Sequence, residues 1–390
     1  MMSENVCIMA LGGAGCRILG EFSDFEESKK FRLLAVDSDV ESLKSSGLPE
    51  ENWIQAGKLL RSGRGCGGDL ISGQQALANE RKNLAAILDD TKVLIIVAGL
   101  GGGLATGGLP VILGVAAKLH IVTAVVATLP FAMEGALRRQ HSEDKLKNDI
   151  LPLADAVITL PNDLLFSTLP AEVSMIDAFK LSDQEVSRSV MSLVAILGGG
   201  NLFSADFASF TGVLKRRQTL CSLGTARVNT GDDVVEKAME KMLASPLLGG
   251  PDALDNADAI LFSLLGGPEL SLATARAALD LCSRHIVPES EKNILLGASA
   301  AEEFAGKLQL TVLAVRYLDR SEVFREPARK KSGIRAVAAD ESDGNLQMDL
   351  PNLTVEDKGI MENTVPVVYD GEDWDIPAFK RHGLVIDTGK

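Results

Sequence analysis

VLIIVAGLGGGLATG, residues Val93 to Gly107, is the stretch on which the fold turns. The apolar run Val93 to Ala98 predicts a strand buried on both faces, and the glycines after it leave bare backbone amides at the strand's end. Leu109 to Leu119 reads as a helix, so the glycine run Gly101 to Gly107 sits at a strand-to-helix junction, where converging amides and the positive end of the helix dipole favour phosphate. A second turn of this kind, GGAG from Gly12 to Gly15, follows the short strand Val6 to Leu11. A third, GRGCGG from Gly63 to Gly68, lies between them. Any one of these is equally well a plain tight turn. Three in one alternating β/α pattern imply a phosphate-binding face.

Outward from these turns, further strands are expected at Arg32 to Val36, Val122 to Thr128 and Ala156 to Leu160. Apolar runs separated by helices are what a parallel sheet covered on both faces requires. Ligands of such sheets bind at the carboxyl ends of the strands, and the loops at Gly12 and Gly101 fall on that edge. A long helix, Ala171 to Leu197, is stopped by Gly198, Gly199 and Gly200 and leads into a second domain. That domain, about Gly224 to Tyr317, carries strand candidates Ala259 to Leu264, Asn293 to Ala298 and Leu308 to Val315. From Pro327 to Asp370 a basic cluster (Arg329, Lys330, Lys331) is mixed with acidic and small polar residues, a composition that predicts a flexible linker. Beyond it stands an apolar island, WDIPAFKR from Trp374 to Arg381, of the kind that docks into another protein's groove; an inert tail is the plainer alternative.

Composition narrows the function. A net charge of −14 in 390 residues argues against nucleic acid as a partner, because phosphate backbones are bound through clustered Lys and Arg. Five scattered cysteines (Cys7, Cys16, Cys66, Cys221, Cys282) and four histidines make neither a disulfide framework nor a zinc site. No secretory signal is read at the start, and the apolar region Val111 to Pro130 is broken by Lys118 and His120, so no membrane span is expected. The expected compartment is the cytoplasm.

Taken together, the motifs resemble the FtsZ family, the bacterial tubulin homologues whose members are GTPases that polymerise into the cell-division ring. GGGLATG is similar to that family's GGGTGTG, and GGAGCR to its first glycine loop. LPFAMEGALRR resembles PFxFEGRRR, LPNDLL resembles IPNDKL, and DAFKLSD resembles DAFxxAN or DAFxxAD. ASPLLGG resembles the SPLL segment of the second domain, and WDIPAFKR the terminal peptide with its DIPAFLR core. The resemblance spans nearly the whole chain except the linker. It implies an α/β fold: a Rossmann-like, tubulin-type GTP-binding domain with a parallel sheet over residues 1–170, a central helix over 171–200, and an α+β activation domain over 201–320. A disordered linker over 327–370 and a partner-binding peptide over 371–390 complete it.

The resemblance also implies roles. Gly12, Gly13, Ala14, Gly15 and Cys16 would approach the α and β phosphates of GTP or GDP, with Arg17 standing where the family usually has asparagine. Gly101, Gly102, Gly103, Leu104, Ala105, Thr106 and Gly107 would wrap the phosphates, joined by Gly67 and Gly68 of the third turn. Leu104 and Ala105 depart from the family's Thr and Gly; Ala105 would be restricted if the backbone needed positive φ there. Asp39 matches the carboxylate near the γ-phosphate and Mg2+, which otherwise arrives with GTP. Glu134, Arg138 and Asn162 would hold the ribose and phosphates, Glu134 and Arg138 being on their own an ordinary i,i+4 pair. Phe179 would stack on the purine, and Asp183, four residues on, accepts from both N1 and N2 of guanine, a donor pair that adenine lacks.

Catalysis in the family is completed across a subunit contact by a loop reading NxDFAD. Set against it, SADFAS supplies Asp206 and puts Ser209 in place of the second carboxylate. The implied partners are further copies in a head-to-tail filament at the division site, and a membrane-tethering or other division protein bound by Trp374, Asp375, Ile376, Pro377, Ala378, Phe379, Lys380 and Arg381. Direct membrane insertion and nucleic acid are not implied. Two alternatives stay open. One is a scaffold of the same superfamily that binds GTP without turnover, motivated by Leu104, Ala105 and Ser209. The other is a dinucleotide-binding dehydrogenase, for which Asp37 is suitably placed but Ile18 occupies the third glycine position.

Overall fold

The computed structural model describes residues 5–24, 28–29, 31–58, 65–163, 172–197, 212–213, 219–250, 252–284, 293–318, 368–369 and 372–373. The chain divides into two units, 1–328 and 329–390.

The first unit opens with strand β1 (Val6–Leu11), helix α1 (Gly12–Gly20), β2 (Arg32–Asp37), α2 (Val40–Ser45) and β3 (Trp53–Gln55). Helices α3 (Leu70–Asn79) and α4 (Arg81–Leu88) lead to β4 (Val93–Gly99), α5 (Gly103–Lys118) and β5 (Val122–Leu129). Then come α6 (Ala136–Lys145), β6 (Ala156–Pro161) and the long α7 (Met175–Leu197). The remaining strands are β7 (Thr219–Asn229), β8 (Ala259–Gly266), β9 (Asn293–Ala300) and β10 (Lys307–Tyr317), with helices α8 (Val234–Leu243) and α9 (Leu272–Arg284) between them.

All ten strands form one sheet in the order β3-β2-β1-β4-β5-β6-β7-β10-β8-β9. The first six are parallel and follow the doubly wound order, with the reversal of direction between β1 and β4. Their all-apolar sequences are explained by two-sided burial. Val6, Ile8 and Ala10 of β1 join a core with α1 and α7, whereas Cys7, Met9 and Leu11 join the opposite core with α3, α4 and α5. The halves of the sheet meet where β6 and β7 run parallel for two residue pairs, Val157 with Leu220 and Ile158 with Cys221. Beyond that joint, β10 is antiparallel to both β7 and β8. Val186, Val190 and Val194 of α7 belong to a core that also contains Leu223 of β7 and Leu313 of β10, so this helix packs on both halves.

Four elements differ from the expectation. The short edge strand β3 and the long β7 carry too mixed a pattern to stand out as apolar runs: β7 alternates buried and half-buried residues. The helix after the glycine run begins at Gly103 rather than near Leu109, so Gly103 to Gly107 form its first turns. The reason is packing. A Cβ at Gly107 would lie 2.0 Å from the Leu70 carbonyl oxygen, and one at Gly73 2.1 Å from that of Gly103, so α3 and α5 meet backbone to backbone. The long helix begins at Met175 rather than at Ala171: residues 172–174 are described and form a turn and bend instead of helix. The expected stop at Gly198 to Gly200 lies outside the described residues. Of the second unit, Val368–Tyr369 pairs antiparallel with Glu372–Asp373. The rest of the expected linker and the peptide Trp374 to Arg381 lie outside the described residues.

Candidate functional site

At the carboxyl ends of β1 and β4, where the sheet order reverses, a cleft of ≈ 400 Å³ opens. Two helices start on its floor. Helix α1 follows β1 without an intervening residue, and α5 follows Gly102; neither has a side chain capping its first amides. Those N–H groups therefore keep their donor capacity for an anion, and both helix dipoles point their positive ends at it. Glycine is required for this close fit. Gly12 has φ +78°, Gly101 has φ +105°, and a Cβ at Gly15 would stand 2.4 Å from the Val97 carbonyl oxygen.

Gly12, Gly13, Ala14 and Arg17 line the cleft from α1, and Gly102, Gly103, Leu104 and Ala105 from α5. Ala105 is helical, with no positive φ, so the feared backbone restriction does not arise. Leu104 is 4% exposed and joins the core beneath the cleft. Glu134, Arg138, Asn162 and Phe179 close the opposite side. Arg138 pairs with Glu134 at 3.0 Å and its Nε donates to the Gly101 carbonyl at 3.0 Å, which ties α6 to the glycine run.

Gly67, Gly68, Gly101 and Thr106 line an adjoining hollow of ≈ 520 Å³ that shares Arg138 with the cleft. Thr106 Oγ1 accepts from the Gly101 amide at 2.7 Å, locking the turn. At the other end, Asp183 lies in a hollow of ≈ 670 Å³ that shares Arg17 and Phe179 with the cleft. There Asp183 pairs with Arg17 at 3.2 Å, while Phe179 meets Phe131 edge-on, ring centroids 5.4 Å apart. Burial raises the Asp183 pKa above the usual carboxylate value, and the Arg17 guanidinium opposes that rise.

The remaining expected residues stand elsewhere. Gly15 and Cys16 turn into the core; burial pushes the Cys16 thiol up to about 12, with the Asp37 carboxylate adding to the rise. Gly107 sits against Leu70 in the helix contact. Asp39 caps α2, accepting from the Glu41 amide at 3.1 Å. Asp206 and Ser209 lie outside the described residues.

The sequence reading missed several lining groups: Ser38, Cys66, Thr128, Pro130 and Phe131 in the cleft, and His141 in the adjoining hollow; Asp37, which also lines the cleft, was considered only for the dinucleotide alternative. Asp37 was legible, being the last residue of a strand and so at the ligand edge. Its carboxylate accepts from the amides of Ser38 at 2.6 Å and Asp39 at 3.1 Å.

Comparison with known proteins fits this geometry. Residues 5–170 match the GTPase domain of the Tubulin/FtsZ family, and residues 220–316 match the C-terminal domain of the FtsZ family. The chain belongs to the tubulin/FtsZ family. That family comprises GTP-binding, polymerising cytoskeletal GTPases, and every lining residue of the cleft except Phe179, which stands on the helix that follows, lies within the matched GTPase domain. Among solved structures, an FtsZ dimer from M. jannaschii superposes with a TM-score of 0.70 at 26% identity, covering 80% of this chain and 88% of that one. A GTPγS-bound protofilament of CetZ2 from Haloferax volcanii superposes with a TM-score of 0.66 at 24% identity, covering 82% and 94%; this likeness concerns the fold alone. Among the described residues no helix is long and apolar enough to cross a membrane.

Proposed function

We propose that this chain is a self-polymerising guanine-nucleotide cytoskeletal protein of the bacterial division ring, whose hydrolysis of GTP is completed by Asp206 of the neighbouring subunit. The observation that carries the nucleotide part is the convergence of two uncapped helix N-termini with Phe179 and Asp183 on connected hollows. The amides suit phosphates, the aromatic ring a purine, and the carboxylate the paired donors of guanine. Mg2+ keeps several waters and takes phosphate oxygens with one or two carboxylates. Asp37, which lines the cleft, stands nearer that place than Asp39, which is not among the cleft's lining residues. Titration should show GTP bound well ahead of ATP, and Asp183→Ala should weaken GTP by about 1 to 3 kcal/mol through the loss of a buried acceptor. Equal affinity for GTP and ATP would refute the assignment.

Self-association is supported by three apolar side chains that are 65–71% exposed, Ile71, Met133 and Leu137, each adjacent in sequence to a residue lining the cleft or its neighbouring hollow, Leu70, Glu134 and Arg138. A head-to-tail contact made there does not close on itself and so yields filaments. Sedimentation should therefore increase with GTP and Mg2+ over GDP; a monomer across a broad concentration range would count against filaments. The peptide Trp374 to Arg381 is proposed to bind a membrane-tethering or division partner. Deleting residues 371–390 should leave nucleotide binding and sedimentation intact while abolishing recruitment to the division site in cells. Loss of nucleotide binding in that variant would make the peptide part of the folded core instead.

A further inference from the structure

The resemblance that brings Asp183 to guanine puts an asparagine where this chain has Arg17, and the structure gives that arginine a partner: its Nε lies 3.2 Å from Asp183 Oδ2. The two come from elements far apart in sequence, α1 and α7, and meet at the wall of the hollow that Phe179 also lines. The Asp183 side chain is only 14% exposed, that of Arg17 49%. A carboxylate so withdrawn from water tends to hold its proton, and a protonated carboxyl offers an O–H where guanine needs an acceptor. Each carboxylate oxygen has two lone pairs, so Oδ2 can accept from Arg17 and from a base donor together.

We propose that Arg17 is the positioning residue of base recognition in this chain, holding the Asp183 carboxylate ionised and aimed so that it can accept from guanine N1 and N2. This rests on the guanine-binding reading above. The other charged groups around Asp183 do not replace Arg17. Glu21, which follows α1, is a like charge and accepts from Gln184 of α7 at 3.0 Å. Lys44 of α2 is engaged with Glu41 at 2.7 Å. Lys180, on α7 itself, lines the same hollow, but the charges that act on the Asp183 carboxylate are those of Arg17 and Glu21. Burial raises the Asp183 pKa, Arg17 lowers it and Glu21 raises it. Removing Arg17 therefore moves the acid loss of binding to higher pH.

The test is calorimetric titration of GDP and ADP into the full chain at a series of pH values, from the most acid at which it stays folded up to above neutrality. The variants are Arg17→Gln, Arg17→Lys and Asp183→Asn. In the wild type, GDP affinity should fall as the pH drops. In Arg17→Gln that fall should begin at higher pH, because the guanidinium that favours the ionised carboxyl is gone, and Arg17→Lys should restore most of the difference because it keeps the charge. Asp183→Asn should bind weakly and without the acid limb. If GDP is preferred to ADP but the Arg17→Gln profile superposes on the wild type, or the acid limb survives in Asp183→Asn, the proposal is overturned while the base reading stands. If ADP binds as tightly as GDP, the base reading has failed and the role of Arg17 falls with it.

Discussion

Asp206→Ala is expected to reduce assembly-dependent GTP turnover by about 10²-fold to 10⁴-fold, the usual worth of a positioned acid or base, without greatly weakening nucleotide binding. The asymmetry follows from geometry. The described cleft and the hollow that shares Arg17 and Phe179 with it already hold the groups suited to phosphates and base: the α1 and α5 amides, Arg138 and Phe179 in the cleft, and Asp183 in the hollow. Asp206 is proposed to act on the nucleotide of the next subunit, so its loss removes a charge that orients water and leaves the binding wall intact. In the proposed alignment of SADFAS with the family's loop, Ser209 takes the place of the second carboxylate. A neutral hydroxyl cannot polarise water as an anion does, so basal turnover should be slow and Ser209→Asp should raise it by about tenfold or more. Phosphate release measured beside sedimentation separates the outcomes. An unchanged or lower rate in Ser209→Asp, with filaments still formed, would show that the loop is misplaced in this reading or that another residue supplies the charge. No turnover in the wild type, with GTP bound and filaments present, would favour the non-hydrolysing scaffold.

The sheet was legible because parallel strands buried on both faces are written as unbroken apolar runs. Val6–Leu11, Val93–Gly99 and Val122–Leu129 lie within a residue or so of the runs read from sequence. Edge and half-exposed strands lack that signature, which is why β3 and β7 did not stand out. The glycine run at Gly101 shows a different limit. Composition marks where the backbone must come close to something, but not what that something is. Gly102 borders the cleft and Gly101 the adjoining hollow, whereas Gly107 of the same motif is packed against the Leu70 backbone. Pairings between distant elements were out of reach too. Phe179 and Asp183 could be placed on one helical face from their spacing, yet nothing in the sequence joined Arg17 to Asp183 across 166 residues or stood Phe131 edge-on to Phe179. The dehydrogenase alternative also shows why motifs need a fold. The strand order of the first six strands is shared with dinucleotide-binding domains, and it is the second uncapped helix, α5, together with the family match, that separates the two.

Two substitutions of the same chemistry on helix α5 should have opposite signs. Replacing a mid-helix glycine by alanine ordinarily stabilises by about 0.5 to 1 kcal/mol, because glycine loses more backbone freedom on folding. At Gly114 a Cβ would meet no atom within 4 Å, so Gly114→Ala should show that gain. At Gly107 the new methyl would lie 2.0 Å from the Leu70 carbonyl oxygen and 2.8 Å from its carbonyl carbon. Backbone cannot swing aside as a side chain does, so α3 and α5 must separate. Gly107→Ala should then destabilise by about 3 kcal/mol, the upper end of the ordinary overpacking cost, in spite of its better helix propensity. Denaturant midpoints at equal slope would measure both. Because α5 begins at Gly103 on the floor of the cleft, a displaced α5 also moves its first amides, so Gly107→Ala should weaken GTP although Gly107 itself lines no part of the cleft. A stable Gly107→Ala protein with unchanged GTP affinity would mean that the two helices are not packed backbone to backbone, whereas a stable protein with weakened GTP binding would mean that this glycine serves the phosphates directly.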